Sequence, residues 1–336
     1  MFQRVHLVSR FYLAHFFAII GPIITIKSFI VYLSYFGLKE KPFSIAPNPE
    51  YLYMSERHKE ALLHLNYGLG DTGGFVLLTG EVGTGKTTIT RSMLKSLPEN
   101  TEVAFVLNPA LSELELLASI CDELTISYDP ETATLKSLTD ALKARFTENY
   151  KAGGHTLLVI DEAQHLSPSV LEQLRLLTNL ETDDKKLVQI ALIGQPELQT
   201  LLQRNELRQL AQRITSRYHL LALTESQVFA YIQHRLQTAG CDAALFSHEA
   251  VAHIYKRTQG IPRLINLLAD RCLLGAFSAQ KRVIDKAVVE QAAKEALPMV
   301  SVNSEQASEN KLKKFAPVLS LIVASYIVGF AAAYIF

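Results

Sequence analysis

Gly80-Glu81-Val82-Gly83-Thr84-Gly85-Lys86-Thr87 fits the pattern G-x-x-x-x-G-K-[ST], and both of its flanks suit that pattern. The run before it, Gly74-Phe75-Val76-Leu77-Leu78-Thr79, reads as a buried strand. The run after it, from Thr88 to Leu97, reads as a helix that Pro98 ends. A strand, a glycine-rich loop and a helix start form a phosphate cradle, because backbone N–H groups and the helix dipole converge on one anion. Glycines let those groups turn inward without Cβ clashes. Lys86 can then reach the β- and γ-phosphates of ATP, and the Thr87 hydroxyl can hold Mg²⁺. The candidate nucleotide contacts are Gly80, Glu81, Val82, Gly83, Thr84, Gly85, Lys86, Thr87 and Thr88.

Outward from this loop, short apolar runs alternate with helical patterns. The expected strands are Phe75–Thr79, Val103–Leu107, Thr156–Ile160, Leu187–Ile193 and Tyr218–Leu223. Each is nearly continuous in apolar residues, as strands covered on both faces are. Helices are expected over Glu113–Leu124, Leu135–Asn149 and Val170–Leu180, and Ser55 precedes another with apolar positions at Ala61, Leu62, Leu65 and Leu69. The alternation implies an α/β fold with a doubly wound parallel sheet. From Glu225 onward only helical patterns follow: Glu225–Ala239, His248–Thr258, Arg263–Phe277 and Asp285–Ala296. These read as a small all-helical lid domain.

Two strand ends add chemistry. The run Thr156-Leu157-Leu158-Val159-Ile160 ends in Asp161-Glu162. Asp161 can hold Mg²⁺ opposite Thr87, and Glu162 can polarise a water for attack on the γ-phosphate. Leu192-Ile193-Gly194-Gln195-Pro196 is a second strand end, and Gln195 can hydrogen-bond the attacking water or the γ-phosphate. In the helical part, Gly260-Ile261-Pro262-Arg263 opens a helix. An arginine in a first turn opposes the dipole, so a partner anion is expected for Arg263. Arg208, Arg213 and Arg217 are candidates for an arginine finger into a neighbouring subunit, with Arg213 ahead of the others; the rival reading is a structural ion pair or solvent exposure. His165 reads as a structural polar residue.

The chain has 336 residues and 33 basic against 33 acidic side chains. A neutral balance argues against a broad nucleic-acid surface. Three scattered cysteines, Cys121, Cys241 and Cys272, form no C-x-x-C and read as small core residues in a reducing compartment. Phe315 to Phe336 carries no charge, and Lys311, Lys313 and Lys314 stand before it. As a helix it would be about 33 Å long, enough to cross a bilayer. The positive-inside bias keeps the preceding domain in the cytoplasm. The stretch Phe11 to Ile26 is also apolar, but a single outward span there would carry Lys86 away from ATP. Three readings stand: it lies on the membrane, spans with its N-terminus outside, or belongs to an upstream extension that is not part of the working protein; the last is favoured, since compact globular patterning begins only near Tyr32. The expected domains are therefore an N-terminal extension over 1–31, an ATPase core over 32–224, a lid over 225–298, a polar linker over 299–314 and a transmembrane helix over 315–336.

With these residues placed, the sequence resembles the AAA+ ATPases of the general secretion pathway protein A family, and is similar to the M protein of mannose-sensitive haemagglutinin pilus biogenesis. The resemblance covers roughly Tyr32 to Ala296. It rests on Tyr35-Phe36-Gly37-Leu38 with Pro42-Phe43, on Tyr51-Leu52-Tyr53 with Ser55-Glu56-Arg57-His58, and on the phosphate loop. Ile160-Asp161-Glu162-Ala163-Gln164, Ile193-Gly194-Gln195-Pro196-Glu197-Leu198 and Gly260-Ile261-Pro262-Arg263-Leu264-Ile265-Asn266 complete it. The resemblance implies a P-loop NTPase with ATP and Mg²⁺, with Asp161 and Glu162 as its metal and water carboxylates and Arg263 as the second sensor. It also implies a start close to Tyr32. The secretion proteins add a single membrane span and a periplasmic peptidoglycan-binding domain; the sequence ends at Phe336, so cell-wall binding is not carried over. The expected function is a membrane-anchored ATPase, homo-oligomeric and partnered by an inner-membrane secretion or pilus assembly protein. The alternative is a nucleotide-gated DNA-binding regulator similar to the transposition ATPases.

Overall fold

In the computed structural model, residues 32–46, 48–69, 74–107, 111–182 and 186–297 are described. Five parallel strands form one sheet: β1 (Gly74–Gly80), β2 (Thr101–Val106), β3 (His155–Ile160), β4 (Gln189–Gly194) and β5 (Ile214–Leu220). Their order across the sheet is β2-β3-β4-β1-β5. Central strands are buried on both faces, and their side chains alternate between two cores. Phe75, Leu77, Leu158, Ile160, Ile190 and Leu192 face α3 (Glu113–Glu123), α4 (Leu135–Lys151) and α5 (Pro168–Leu177). Val76, Leu78, Leu157, Val159, Ala191 and Ile193 face α1 (Glu56–Gly68) and α2 (Lys86–Lys95). The doubly wound α/β sheet expected from the sequence is thus present.

Helix starts follow their caps. Ser55, Ser112, Thr134, Ser167, Thr224 and Ser247 each accept a hydrogen bond from a backbone N–H in the first turn. Such caps satisfy donors that the helix leaves open, each stabilising by about 1 kcal/mol. Ser112 and Glu115 form a full capping box.

The structure moves some expected boundaries. The last strand runs over Ile214–Leu220 rather than Tyr218–Leu223. As an edge strand it alternates, with Ser216 buried and Arg217 exposed, so its first half lacks the apolar run of a central strand. The helix expected at Val170–Leu180 begins at Pro168 and ends at Leu177. Two short helices, α6 (Glu197–Leu202) and α7 (Arg208–Gln212), fill the connection from β4 to β5.

The helical part comprises α8 (Glu225–Thr238), α9 (His248–Thr258), α10 (Pro262–Ser278) and α11 (Lys286–Ala296). The segment from Tyr32 to Tyr53 packs on it. The Tyr32 hydroxyl donates to Asp270 at 3.1 Å, and Phe43 meets Phe246 edge-on at 5.9 Å. Buried Arg235 donates to the carbonyls of Pro42 at 2.5 Å and Ser44 at 3.1 Å. No described helix is long and apolar enough to cross a membrane. The expected extension over 1–31, the linker and the transmembrane helix over 315–336 lie outside the described residues.

Gly260 ties the turn between α9 and α10 to the connection that leaves β5. Its φ is +75°, its carbonyl accepts from Leu223 N–H at 3.0 Å, and a Cβ there would stand 1.9 Å from the Leu223 carbonyl oxygen. Gly260→Ala should therefore lower the unfolding free energy by roughly 2 kcal/mol or more. Thermal unfolding of the two proteins side by side checks this, and equal midpoints would contradict it.

Candidate functional site

Parallel pairing delivers the motif residues to one edge of the sheet. Thr79 pairs with Gly194, so the loop leaving β1 lies beside Gln195, and Asp161 and Glu162 follow β3 next door. The loop wraps toward α2, whose N-cap Gly85 has φ +108°; Gly83 has φ +81°. Both conformations favour glycine, and both positions are also sterically closed. A Cβ on Gly83 would stand 2.6 Å from Arg263 Cβ, and one on Gly85 would stand 2.8 Å from His58 Nε2. This is the close backbone cradle that a phosphate needs, and the residues fit ATP with Mg²⁺.

Lys86 is buried, and its ammonium donates to the carbonyls of Gly80 at 2.8 Å and Glu81 at 3.2 Å. Burial holds its pKa below the usual lysine range, against the pull of Glu162 and Asp161. Thr84 is buried and its hydroxyl donates to the Glu81 carbonyl at 2.8 Å, bracing the loop from inside. Val82 and Thr87 are exposed, so the Thr87 side chain is free to meet a metal.

The two carboxylates sit in opposite surroundings. Burial pushes Asp161 above its usual range, although it accepts from Glu162 N–H at 2.9 Å. Glu162 is held below its usual range, first by Gln164 Nε2, which donates at 2.7 Å, and also by Gln195 Nε2 at 3.2 Å. Gln195 is itself located by its backbone N–H, which donates to Gln164 Oε1 at 3.0 Å. Glu162 adopts φ 52°, ψ 35°, a left-handed conformation uncommon outside glycine. Strain of this kind is found where a functional side chain must be aimed.

Arg263 lies where the sequence predicts, in the first turn of α10 and against the phosphate loop; its backbone N–H donates to the Gly83 carbonyl at 3.3 Å. Lys86, Glu162 and Arg263 line one cavity of about 580 Å³ with Val82 to Thr88. The finger candidates do not line it. Arg213 stands before β5, at the opposite end of the sheet, and donates to Thr178 Oγ1 at 2.8 Å and the Arg175 carbonyl at 3.2 Å. It closes the C-terminal turn of α5 through a hydroxyl and a carbonyl, rather than through the ion pair or the solvent exposure weighed against the finger. Arg208 and Arg217 are exposed.

Sequence reading missed the far wall of the cavity. Tyr51, Tyr53, Tyr231, Arg235 and Asn266 line it, together with His58 beneath the loop. Arg235 was detectable in principle: it falls on the buried stripe of α8 with Val228, Tyr231 and Ile232. So was His58, which falls on the buried stripe of α1 with Ala61, Leu65 and Gly68.

The model of the AAA domain matches residues 69–202. General secretion pathway protein A of Aeromonas hydrophila is 60% identical over 248 residues, which are 74% of this chain and 45% of that protein. The chain thus spans about half the length of the curated relative it matches. Among solved structures, Cdc6p from Pyrobaculum aerophilum superposes with a TM-score of 0.60 at 18% identity, covering 77% of this chain and 72% of that one. The Aeropyrum pernix ORC2 protein does so with a TM-score of 0.58 at 19% identity, covering 78% and 73%. At such identities these two report the fold alone. Over the stretch shared with the Aeromonas protein, the chain belongs to the AAA ATPases as a general secretion pathway protein A-like member.

Proposed function

We propose that the chain hydrolyses ATP and that, anchored in the inner membrane by residues 315–336, it drives or regulates assembly of a secretion or type IV pilus-like machine. The observation that carries the hydrolytic part is the Glu162 carboxylate. It is ionised, aimed by two glutamine amides, and set in the same cavity as the Lys86 loop. Bound Mg·ATP supplies the scissile γ-phosphoryl bond and the charge neutralisation on its oxygens. Lys86 and the loop N–H groups bind the phosphate tail. Thr87 and Asp161 would hold the metal. Glu162 takes a proton from the attacking water, Gln195 holds Glu162 in register, and Arg263 meets phosphate charge from the lid.

The cellular part of the proposal draws on the relative's name and on the uncharged stretch after Lys311, Lys313 and Lys314. A single span with the ATPase in the cytoplasm follows from that basic flank. Transmission to an inner-membrane assembly partner and association into a homo-oligomer belong to the same proposal. To serve as an arginine finger, Arg213 would have to leave Thr178, and Arg217 the Ala211 carbonyl.

Lys86→Ala should abolish binding of Mg·ATP in equilibrium titrations. Glu162→Gln should bind it while hydrolysis falls by about 10²-fold or more. Wild-type turnover in Glu162→Gln would overturn the assignment. Gln195→Leu should keep affinity near wild type and lower turnover by about 10-fold, because it removes one of the two amides that aim Glu162. Full-length chain should sediment with membranes, and deletion of residues 315–336 should release it; recovery of the intact chain in the soluble fraction counts against the anchor.

A further inference from the structure

We propose that Asn266 is a nucleotide-binding residue of the lid, whose side-chain N–H donates to an acceptor on the nucleoside, base or ribose, of the bound nucleotide. This rests on the nucleotide-binding reading above and deepens it, by naming a group that tells one nucleoside from another. Asn266 interrupts the apolar run Leu264-Ile265-Asn266-Leu267-Leu268-Ala269 on α10. It is only 6% exposed, and it lines the same cavity as Lys86 and Glu162. Asparagine is a poor residue for a helix interior, and a buried amide calls for partners.

One half of this amide has its partner. The Tyr231 hydroxyl lies 2.8 Å from Asn266 Oδ1, and Arg235 Nη1 lies 2.9 Å from the same hydroxyl. A guanidinium only donates, so the Tyr231 oxygen accepts from Arg235. Tyr231 is buried, and Arg235 and Asn266 are the described partners of its hydroxyl, so its proton goes to Asn266. The amide must accept there. That fixes Oδ1 toward Tyr231 and leaves Nδ2 as the remaining donor. Among the described residues no group takes the Nδ2 protons, and Nδ2 is not one of the polar atoms sealed away without a partner. What stays accessible of this buried residue opens on the cavity it lines.

The position along α10 selects the nucleoside. The Arg263 N–H donates to the Gly83 carbonyl at 3.3 Å, so α10 begins at the phosphate loop. Asn266 follows Arg263 by three residues, on the same face and about 4.5 Å further along the axis. Aromatic rings surround its hydrogen-bond partners. Tyr53 meets Tyr231 edge-on at 5.9 Å, and Arg235 lies over the Tyr51 ring at 4.9 Å. A neutral donor beside such rings suits a nucleoside, whereas Lys86 and Arg263 at the loop end suit phosphate charge. An asparagine that served only to accept from Tyr231 would be indifferent to which nucleoside is bound.

The test is equilibrium titration of the full chain with Mg·ATP and with its 1-deaza, 3-deaza, 7-deaza, 2′-deoxy and 3′-deoxy analogues, each of which lacks one nucleoside acceptor. Wild type, Asn266→Ala, Tyr231→Phe and Lys86→Ala are compared, with melting temperatures measured without nucleotide. Wild type should bind one analogue about 3- to 10-fold more weakly than ATP, as expected for one lost hydrogen bond. A deaza form places the acceptor on the base, and a deoxy form places it on the ribose. Asn266→Ala should weaken ATP by the same factor, yet leave that analogue within about 2-fold of its wild-type affinity. Tyr231→Phe frees the amide to turn, and should lose part of the affinity for ATP and none for that analogue. Equal wild-type affinity for ATP and every analogue overturns the proposal without any substitution. So does an Asn266→Ala loss that is the same for all ligands, while loss of binding in Lys86→Ala still supports the nucleotide site. Tyr231→Phe at wild-type affinity for ATP overturns the fixed orientation of the amide. Absence of nucleotide binding in wild type removes the functional reading and this inference with it.

Discussion

The site depends on the buried parallel register of the sheet. Val106, Ile160, Leu192 and Leu77 lie in one row across β2, β3, β4 and β1. Beyond that row, β1 continues to Gly80, while Asp161 and Glu162 follow the end of β3 and Gln195 follows the end of β4. A slip of one residue in any central strand would turn its whole apolar set onto the opposite face. Both faces are packed, so such a slip would misalign both cores at once. The same constraint that stabilises the sheet therefore fixes which motif residues meet.

The loop at that edge is gripped from two sides. From the sheet part, His58 closes on Gly85; from the helical part, Arg263 closes on Gly83. Neither contact leaves room for a Cβ, so the glycines serve close approach as well as backbone conformation. The cavity is consequently shared between the two parts. Anything that fills it touches Lys86 and Glu162 on one side and Arg263, Tyr231 and Asn266 on the other. A ligand spanning the cavity would touch both parts, which is what the proposed turning of nucleotide state into relative motion requires.

Much of this was legible in the sequence where a local rule and a global requirement coincide. The phosphate loop is such a place: its glycines, lysine and flanking apolar runs are each interpretable alone and agree with one another. Asp161 and Glu162 were legible because the continuous apolar run from Leu157 to Ile160 marks a strand whose end must emerge. β5 was read three to four residues out of place because an edge strand has only one face to bury, and Ser216 and Arg217 broke the pattern. Arg213 was ambiguous because an arginine before a strand looks the same whether it caps a helix or reaches a neighbour. The contact with Thr178 depends on how α5 ends, which no window around Arg213 contains. The resemblance and the residues agreed on Arg263, but its contact with Gly83 is a property of the assembled fold.

The attachment of Tyr32 to Tyr53 shows how much the helical part carries with it. Arg235 is buried, and the partners described for it are neutral: two carbonyls, the Tyr231 hydroxyl at 2.9 Å and the faces of Tyr51 and Tyr231. Tyr231 is bound in turn to Asn266 at 2.8 Å. Pulling the segment away from α8 would leave a guanidinium without its carbonyls in a poorly hydrated place, which costs several kcal/mol. Turning the backbone near Tyr53 and Ser55 breaks no such bond, because the chain there is changing from lid contacts to the cap of α1. The lower-cost response to a displaced lid is therefore for residues 32–53 to follow it. The described residues between Tyr32 and Tyr53 are then mechanically part of the lid, although the sheet separates the two in sequence.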